Sequence, residues 1–395
     1  MEATAGVLAA AGLAAEKLDE LVVGTVRDVH HAVATRAWQL PESVAGGRLA
    51  SHRVHDAVSA ATYGGLGLAL RGAARGLRAG ERAGPRVRLE EGRRGRFVLA
   101  TVNGLIGDRL REEDSGLSFD LAVRAGGHDV PPTREALAAA FPDASGAVVV
   151  FLHGLLETED IWQRAARPRR EDGEAPGSYG SRLAADDGWT PVFVRANTGL
   201  PVAENGAALA GLLDRLVAAW PVPVRRIALV GHSMGGLVLR AACAVTTDAR
   251  TAWADLVTDV VTLGTPHLGA PLERTVAHGA RALGWFPESA PFGRILEYRS
   301  VGILDLRRGL APDVRRLPHA RYHLVAGSLT RSPRHPVALT VGDLLVQPRS
   351  ALGRPRRGPE MFPGADTLHV PGADHFDLVN HDEVYAALRR WLSRR

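Results

Sequence analysis

The chain has 395 residues, 46% hydrophobic and 23% charged, which is the composition of a soluble globular protein larger than one ordinary domain and excludes a wholly disordered chain. The net charge of +5 comes from arginine, because Lys17 is the only lysine. Such a bias reflects the base composition of a genome rather than a binding surface, so we expect no nucleic-acid partner. Cys243 is the only cysteine, which excludes an intrachain disulfide.

The first 116 residues predict a helical N-terminal region, because apolar residues recur at helical spacing in 18–37, 52–74 and 97–110. We interpret this region as an appendage that packs on the rest of the chain. A cover over a functional site, or a weak peripheral membrane contact through the apolar, glycine-rich stretch 57–70, is the alternative. The N-terminus lacks the basic start of a signal peptide, so we expect a cytoplasmic location.

Residues 117–395 predict one α/β domain, because strands and helices alternate as in a parallel sheet with crossover helices. Several of the strands are continuous apolar runs, as expected when both faces of a sheet are covered. The predicted strands are 147–152, 191–195, 226–230, 256–263, 322–326 and 367–370, with helices at 204–220 and 383–392. An antiparallel hairpin at 117–124 and 128–130 is predicted to precede them.

One serine lies at a predicted strand-to-helix turn, in the pentapeptide Gly231-His232-Ser233-Met234-Gly235. So tight a turn strains the middle residue and brings neighbouring backbones together, which is why glycine is needed at 231 and 235. The strain holds the serine hydroxyl out at the carboxyl end of the sheet and points the Met234 N–H at a developing oxyanion. Ser233 is therefore predicted to be a nucleophile for acyl transfer.

A serine hydroxyl needs a histidine to take its proton and a carboxylate to orient that histidine, in the chain order serine, acid, histidine. Asp343 is the only carboxylate between Asp313 and Glu360, and it follows the strand at 322–326. We predict that Asp343 is the acid. His375, in the loop after the last strand, is the predicted base.

Other residues near His375 are candidates for the same roles. His369 lies inside the predicted strand, and His381 begins the last helix, where capping explains it; His381 is the alternative base. Asp374 and Asp377 flank His375, but neighbours in sequence seldom point the same way, so neither replaces Asp343.

A second oxyanion donor is predicted in the turn after the strand at 147–152, where His153 and Gly154 follow an apolar run. The glycine lets the backbone turn so that the Leu155 N–H can face the serine. An ordinary strand-to-helix turn is the alternative interpretation. Leu155 and Met234 are thus the predicted oxyanion donors, with His153, Gly154, Gly231 and Gly235 as supporting turn residues.

Together these residues resemble the α/β-hydrolase superfamily, and in particular its serine esterases and lipases. The segments 262–271 and 342–351 resemble the lipase branch that includes the GPI inositol-deacylase-like enzymes. The resemblance covers 117–395 and implies a mostly parallel central sheet with helices on both faces. Enzymes of this branch often have Gly-Asp-Gly around the acid, whereas Leu344 follows Asp343 here. His267 precedes the acid, so we assign it a structural role.

The resemblance implies hydrolysis of a carboxylic ester, with a small-molecule ester or lipid as substrate, a role in lipid metabolism, and no metal or cofactor. The segment 272–310, with several aromatic residues, is interpreted either as a partial lid or as a satellite core. An acyltransferase or thioesterase with the same three residues is the alternative function, and a catalytically silent binding scaffold is the third. The oligomeric state stays open.

Overall fold

The computed structural model describes residues 92–113, 117–164, 177–245, 252–270, 300–311, 314–332, 335, 338–339 and 342–393. Its strands are β1 (Ala122–Ala125), β2 (His128–Val130), β3 (Ala147–Leu152), β4 (Thr190–Arg195), β5 (Arg226–His232), β6 (Val257–Leu263), β7 (Arg321–Ser328) and β8 (Asp366–Pro371). Its α-helices are α1 (Arg93–Glu112), α2 (Arg134–Ala140), α3 (Tyr179–Asp187), α4 (Val202–Ala219), α5 (Met234–Val245), α6 (Val301–Arg308), α7 (Pro348–Ala351) and α8 (Asp382–Leu392).

The eight strands form one sheet in the order β2-β1-β4-β3-β5-β6-β7-β8. Strands β3 to β8 pair in parallel, and β1 pairs antiparallel with both β2 and β4. All six residues of β3 are buried, which explains why its sequence is apolar throughout rather than alternating. The mostly parallel sheet and all six predicted strands are confirmed, and the predicted hairpin is present as β1 and β2.

Helices cover both faces of the sheet, as predicted. On one face, apolar residues of α4 and α5, such as Leu209 and Leu237, pack against the strands. On the other face, Trp162, Tyr179 and Leu388 belong to a second buried cluster. Because neither face is open to water, the strand ends and the loops after them are where the sheet can present polar groups to a ligand.

Up to Arg109, helix α1 lies in the same compact unit as the sheet. The Arg96 guanidinium donates to the Asp160 carboxylate at 2.9 and 3.1 Å, and the Phe119 N–H donates to Asn103 Oδ1 at 3.3 Å. These contacts tie the helix to the segments that flank β1 and β3.

Two sequence predictions fall on residues outside the described ranges. They are the N-terminal region before residue 92, including the stretch 57–70, and the segment 271–299, which is most of the predicted lid. Both stay predictions. In the part of the chain that the structure covers, no helix is long and apolar enough to cross a bilayer.

Candidate active site

Ser233 stands at the sharp turn between β5 and α5, in the left-handed region with φ of +52°. An added Cβ at Gly231 would lie 2.6 Å from the Gly236 nitrogen. At Gly235 it would lie 2.5 Å from each of two backbone carbonyl oxygens at the end of β3. Real Cβ atoms do not approach backbone atoms so closely, so both positions require glycine. The Ser233 N–H donates to the Leu263 carbonyl at 2.8 Å, which fixes the turn to the end of β6.

Asp343 lies in the loop after β7 and is fully buried. Its Oδ1 accepts the N–H groups of Leu345 at 3.1 Å and Val346 at 2.8 Å, which leaves Oδ2 for another donor. Leu344 has φ of +88°, a conformation that favours glycine. Leucine therefore occupies, directly after the acid, a backbone conformation that glycine would adopt without strain.

The structure brings His375 and Asp343 together. His375, in the loop after β8, has its Nδ1 2.9 Å from Asp343 Oδ2, and its main-chain N–H donates to the Asp343 carbonyl at 2.9 Å. The other ring nitrogen, Nε2, is buried and has no hydrogen-bond partner among the described residues. Burial lowers the pKa of His375, but Asp343, with smaller contributions from Glu157 and Asp374, outweighs burial and raises that pKa above its ordinary value.

Ser233 and His375 both lie next to the backbone of residues 263 and 264, at the end of β6. Leu263 accepts the Ser233 N–H, and a Cβ on the next residue, Gly264, would lie 3.0 Å from His375 Cε1. The ring of His232, directly before the serine, has its centroid 4.7 Å from that of His375. The ends of β5, β6, β7 and β8 thus gather the serine, the histidine and the aspartate at one edge of the sheet.

The turn after β3 borders the serine, because a Cβ at Gly154 would lie 2.8 Å from the Ser233 Cβ. In this turn, the Gly154 N–H donates to Glu157 Oε2 at 2.6 Å and the Leu156 N–H donates to Thr198 Oγ1 at 3.2 Å. No acceptor among the described residues takes the Leu155 N–H between them. Met234 begins α5, where the first N–H groups of a helix have no partner within the helix.

His153 holds this turn in place. Its Nε2 accepts the Ala196 N–H at 3.1 Å, so Nδ1 carries the proton and donates to the Gly154 carbonyl at 2.9 Å. Burial lowers the pKa of His153, in agreement with a neutral ring that both bonds require. The ring therefore links the end of β3 to the loop after β4.

The strand order and the strained serine at the turn between β5 and α5 identify the fold. The chain has the α/β-hydrolase fold. Residues 212–284, which include Ser233, match the model of the PGAP1 family, described as the PGAP1-like alpha/beta domain. The match also spans Gly264 to His267, one of the segments on which the resemblance to this lipase branch rests, and it confirms that resemblance. No protein of curated function matches the chain in sequence.

Several solved structures resemble this chain in fold. The lipase BlEst2 of Bacillus licheniformis is 20% identical with a TM-score of 0.44, and the alignment covers 63% of this chain and 92% of that one. The esterase Pf2001 of Pyrococcus furiosus is 16% identical with a TM-score of 0.40, over 64% and 83%. The RedJ thioesterase of Streptomyces coelicolor is 18% identical with a TM-score of 0.38, over 63% and 92%.

The alternatives to His375 and Asp343 have other partners. His381 Nδ1 accepts the Glu383 N–H at 3.3 Å and so caps α8, as predicted. His369 Nε2 lies 2.8 Å from the Ser328 hydroxyl. Asp374 Oδ1 accepts two main-chain N–H groups of its own loop.

His267 and Cys243 are two buried side chains of the domain. Thr262 Oγ1 lies 3.1 Å from His267 Nε2, and Arg240 contacts the other ring nitrogen, which agrees with a structural role for His267. Cys243 is buried, and burial raises the pKa of its thiol to about 12. Within the described ranges no group of three or more histidine, cysteine or carboxylate side chains has a geometry that could hold a metal ion.

One feature of the site was not predicted from the sequence. His232 is fully buried beside the serine, with Nδ1 3.0 Å from Glu157 Oε2 and Nε2 3.0 Å from the His375 carbonyl. The two partners are 75 residues apart. A buried histidine inside the strand-turn motif needs hydrogen-bond partners, which was the signal available in the sequence.

Proposed function

We propose that this chain is a serine hydrolase that cleaves carboxylic esters, with acyl or lipid-like substrates. The observation that supports it most is the buried Asp343–His375 pair, whose free Nε2 lies in the same strand-end cluster as the strained Ser233. A histidine oriented by a carboxylate on one nitrogen and free on the other is what a general base for a serine hydroxyl requires. Pairing with Asp343 also fixes the proton on Nδ1, which leaves Nε2 as the acceptor.

In the first half-reaction, Ser233 Oγ attacks the ester carbonyl carbon while its proton passes to His375 Nε2. The carbonyl oxygen becomes an oxyanion, which the N–H groups of Leu155 and Met234 would stabilise by hydrogen bonds. The bond from the carbonyl carbon to the leaving oxygen then breaks, and the alcohol takes the proton from Nε2. An acyl group remains on Ser233.

In the second half-reaction, water attacks the acyl carbon and gives a proton to His375 Nε2. The second tetrahedral intermediate collapses, Ser233 Oγ leaves and recovers the proton, and the carboxylic acid is released. Asp343 stays ionised throughout and stabilises the imidazolium that forms twice in each cycle. The reaction consumes one water, and neither half needs a metal or a cofactor.

The function is tested by hydrolysis of p-nitrophenyl esters from acetyl to palmitoyl, with the wild type beside Ser233→Ala and His375→Ala. We expect both substitutions to lower kcat by about 10⁴-fold or more without a large change in KM. The preferred chain length distinguishes an esterase from a lipase. Wild-type turnover no faster than that of Ser233→Ala on every ester would contradict the proposal. Faster p-nitrophenol release with added alcohol or thiol would point instead to acyl transfer.

A further inference from the structure

His232 has hydrogen-bond acceptors at both ring nitrogens. Nδ1 faces the Glu157 carboxylate at 3.0 Å, and Nε2 faces the His375 main-chain carbonyl at 3.0 Å. A carbonyl oxygen can only accept, so Nε2 must carry a proton. One further proton lies between Nδ1 and Glu157. His153 differs, because its ring has an N–H donor on one side and needs only one proton.

The second proton belongs on the ring. Glu157 Oε2 also accepts the Gly154 N–H at 2.6 Å, a short bond of the kind that an ionised carboxylate makes. Burial raises the pKa of Glu157, but the His232 ring and the Gly154 N–H outweigh burial and lower that pKa below its ordinary value. Glu157 is therefore a carboxylate and His232 an imidazolium, and each neutralises the other in a buried environment.

The pair joins both sides of the serine. On one side, Glu157 holds the Gly154 amide, which precedes the Leu155 N–H in the turn after β3. On the other side, His232 holds the carbonyl of His375. We propose that Glu157 and His232 form a buried ion pair that positions the Leu155 N–H and the His375 ring around Ser233. The inference rests on the proposed function, because positioning has a kinetic meaning only if Ser233 acts on an ester.

Glu157→Gln is the first test, because it keeps the volume and an oxygen acceptor while it removes the charge. His232 then retains one proton fewer, and the neutral amide cannot accept the Gly154 N–H and also pair with Nδ1 while Nε2 donates to the His375 carbonyl, so one of these three bonds is lost. We expect kcat to fall by about 10- to 100-fold, with KM within about threefold, because misplacing a reacting group or an oxyanion donor by a fraction of an ångström affects the transition state more than the bound ester.

Two substitutions of His232 test its two hydrogen bonds separately. The amide of His232→Asn can reach Glu157 in place of Nδ1 but cannot reach the His375 carbonyl, and the longer amide of His232→Gln can reach that carbonyl instead. Both variants should show the same loss of kcat, because each breaks the link between the two loops. They also supply the kinetic test if Glu157→Gln does not fold.

A spectroscopic signature tests the ion pair itself. In protein labelled with ¹⁵N-histidine, the His232 ring should give the pattern of two protonated nitrogens at neutral pH, identified by its loss in His232→Asn. In Glu157→Gln the ring should change to the neutral pattern. A neutral pattern for His232 in the wild type would contradict the ion pair.

Asp259→Asn is the matched control, because Asp259 Oδ1 lies 2.9 Å from His323 Nε2 in another buried carboxylate–histidine pair. Asp259 is four residues before Leu263 on β6, about 13 Å from the site along the strand. This control should lower the thermal midpoint and leave kcat unchanged. A Glu157→Gln variant that keeps kcat within twofold of the wild type overturns the positioning role.

The two proposals fail in different ways. If the wild type hydrolyses no ester and a fluorophosphonate does not label Ser233, the proposed function is wrong, while the nitrogen spectrum still reports on the ion pair. If the wild type is active and labelled, but neither Glu157→Gln nor the His232 variants lose kcat, only the further inference is wrong.

Discussion

His375 is held by Asp343 through two hydrogen bonds of 2.9 Å, one from the ring Nδ1 to Oδ2 and one from the main-chain N–H to the Asp343 carbonyl. The first bond fixes the orientation and protonation of the ring, and the second fixes the backbone that carries it. Substitution of the carboxylate alone therefore separates the electrostatic role of Asp343 from its structural one.

Asp343→Asn should lower kcat by about 10³- to 10⁴-fold, because the imidazolium loses its counter-charge and the ring loses its preferred tautomer. The base acts in its neutral form, and Asp343 raises the pKa of His375, so wild-type activity should rise with pH through a midpoint above 6.5. In the variant, burial still lowers that pKa, and the midpoint should move to lower pH. A pH profile of kcat/KM from pH 5 to 9 measures both effects.

Asp374→Asn is the control for that profile, since Asp374 also raises the pKa of His375 but only as a lesser contribution, and its Oδ1 is engaged by main-chain N–H groups. The asparagine oxygen can still accept those bonds. We expect kcat/KM within about threefold of the wild type. An equal loss in the two variants would argue against Asp343 as the acid.

Gly235→Ala should destabilise the fold by about 3 kcal/mol or more, because the new Cβ would lie 2.5 Å from two backbone carbonyl oxygens that cannot move without disrupting β3. Gly211→Ala is the matched substitution, since Gly211 lies in α4 and its Cβ would meet only Arg215 Nη1 at 3.5 Å. It should stabilise the protein by about 0.5–1 kcal/mol. Urea unfolding of both variants tests the contrast, and equal effects would contradict it.

Leu344→Gly should cost little stability or add to it. Leu344 adopts φ of +88°, which costs a leucine about 1–2 kcal/mol, and this relief offsets the added chain entropy of glycine. Leu345→Gly, one residue later, relieves no such strain and removes a side chain that packs against the small buried cluster of Ala326, Val346 and Ala351. We expect Leu345→Gly to be less stable than Leu344→Gly by at least about 1 kcal/mol. The reverse order would contradict the strained turn.

Asp259→Asn should lower the free energy of unfolding at neutral pH by about 3 kcal/mol, because Arg321 and His323 lose a buried partner. Burial raises the pKa of Asp259, but hydrogen bonds from His323 and Arg321 outweigh burial and lower that pKa. Its contribution is therefore complete above the unfolded pKa, near 4, and is lost as pH falls through the folded pKa. The stability difference between wild type and variant should shrink below about pH 4 in acid titrations followed by circular dichroism.

The sheet was predictable because its strands are continuous apolar runs between turn residues, and β3 matches its predicted bounds to the residue. The strained turn at Ser233 was predictable because only glycine fits where backbones meet. The Glu157–His232 pair was not, since the strand-turn motif indicates a buried histidine at 232 but not which residue, 75 positions away, would pair with it. Helix α1 was predicted as a helix, but its sequence gave no sign that Arg96 would pair with Asp160.

Strand β8 precedes the loop that carries His375, and it is the last strand of the sheet, paired on one side only with β7. One of its six residues, Val370, is fully buried. An edge strand with so little apolar burial opens at a lower free energy than the central strands. On warming, ester hydrolysis should therefore be lost at a lower temperature than the one at which the whole sheet unfolds. Cooling should restore hydrolysis as long as the inner strands have stayed paired.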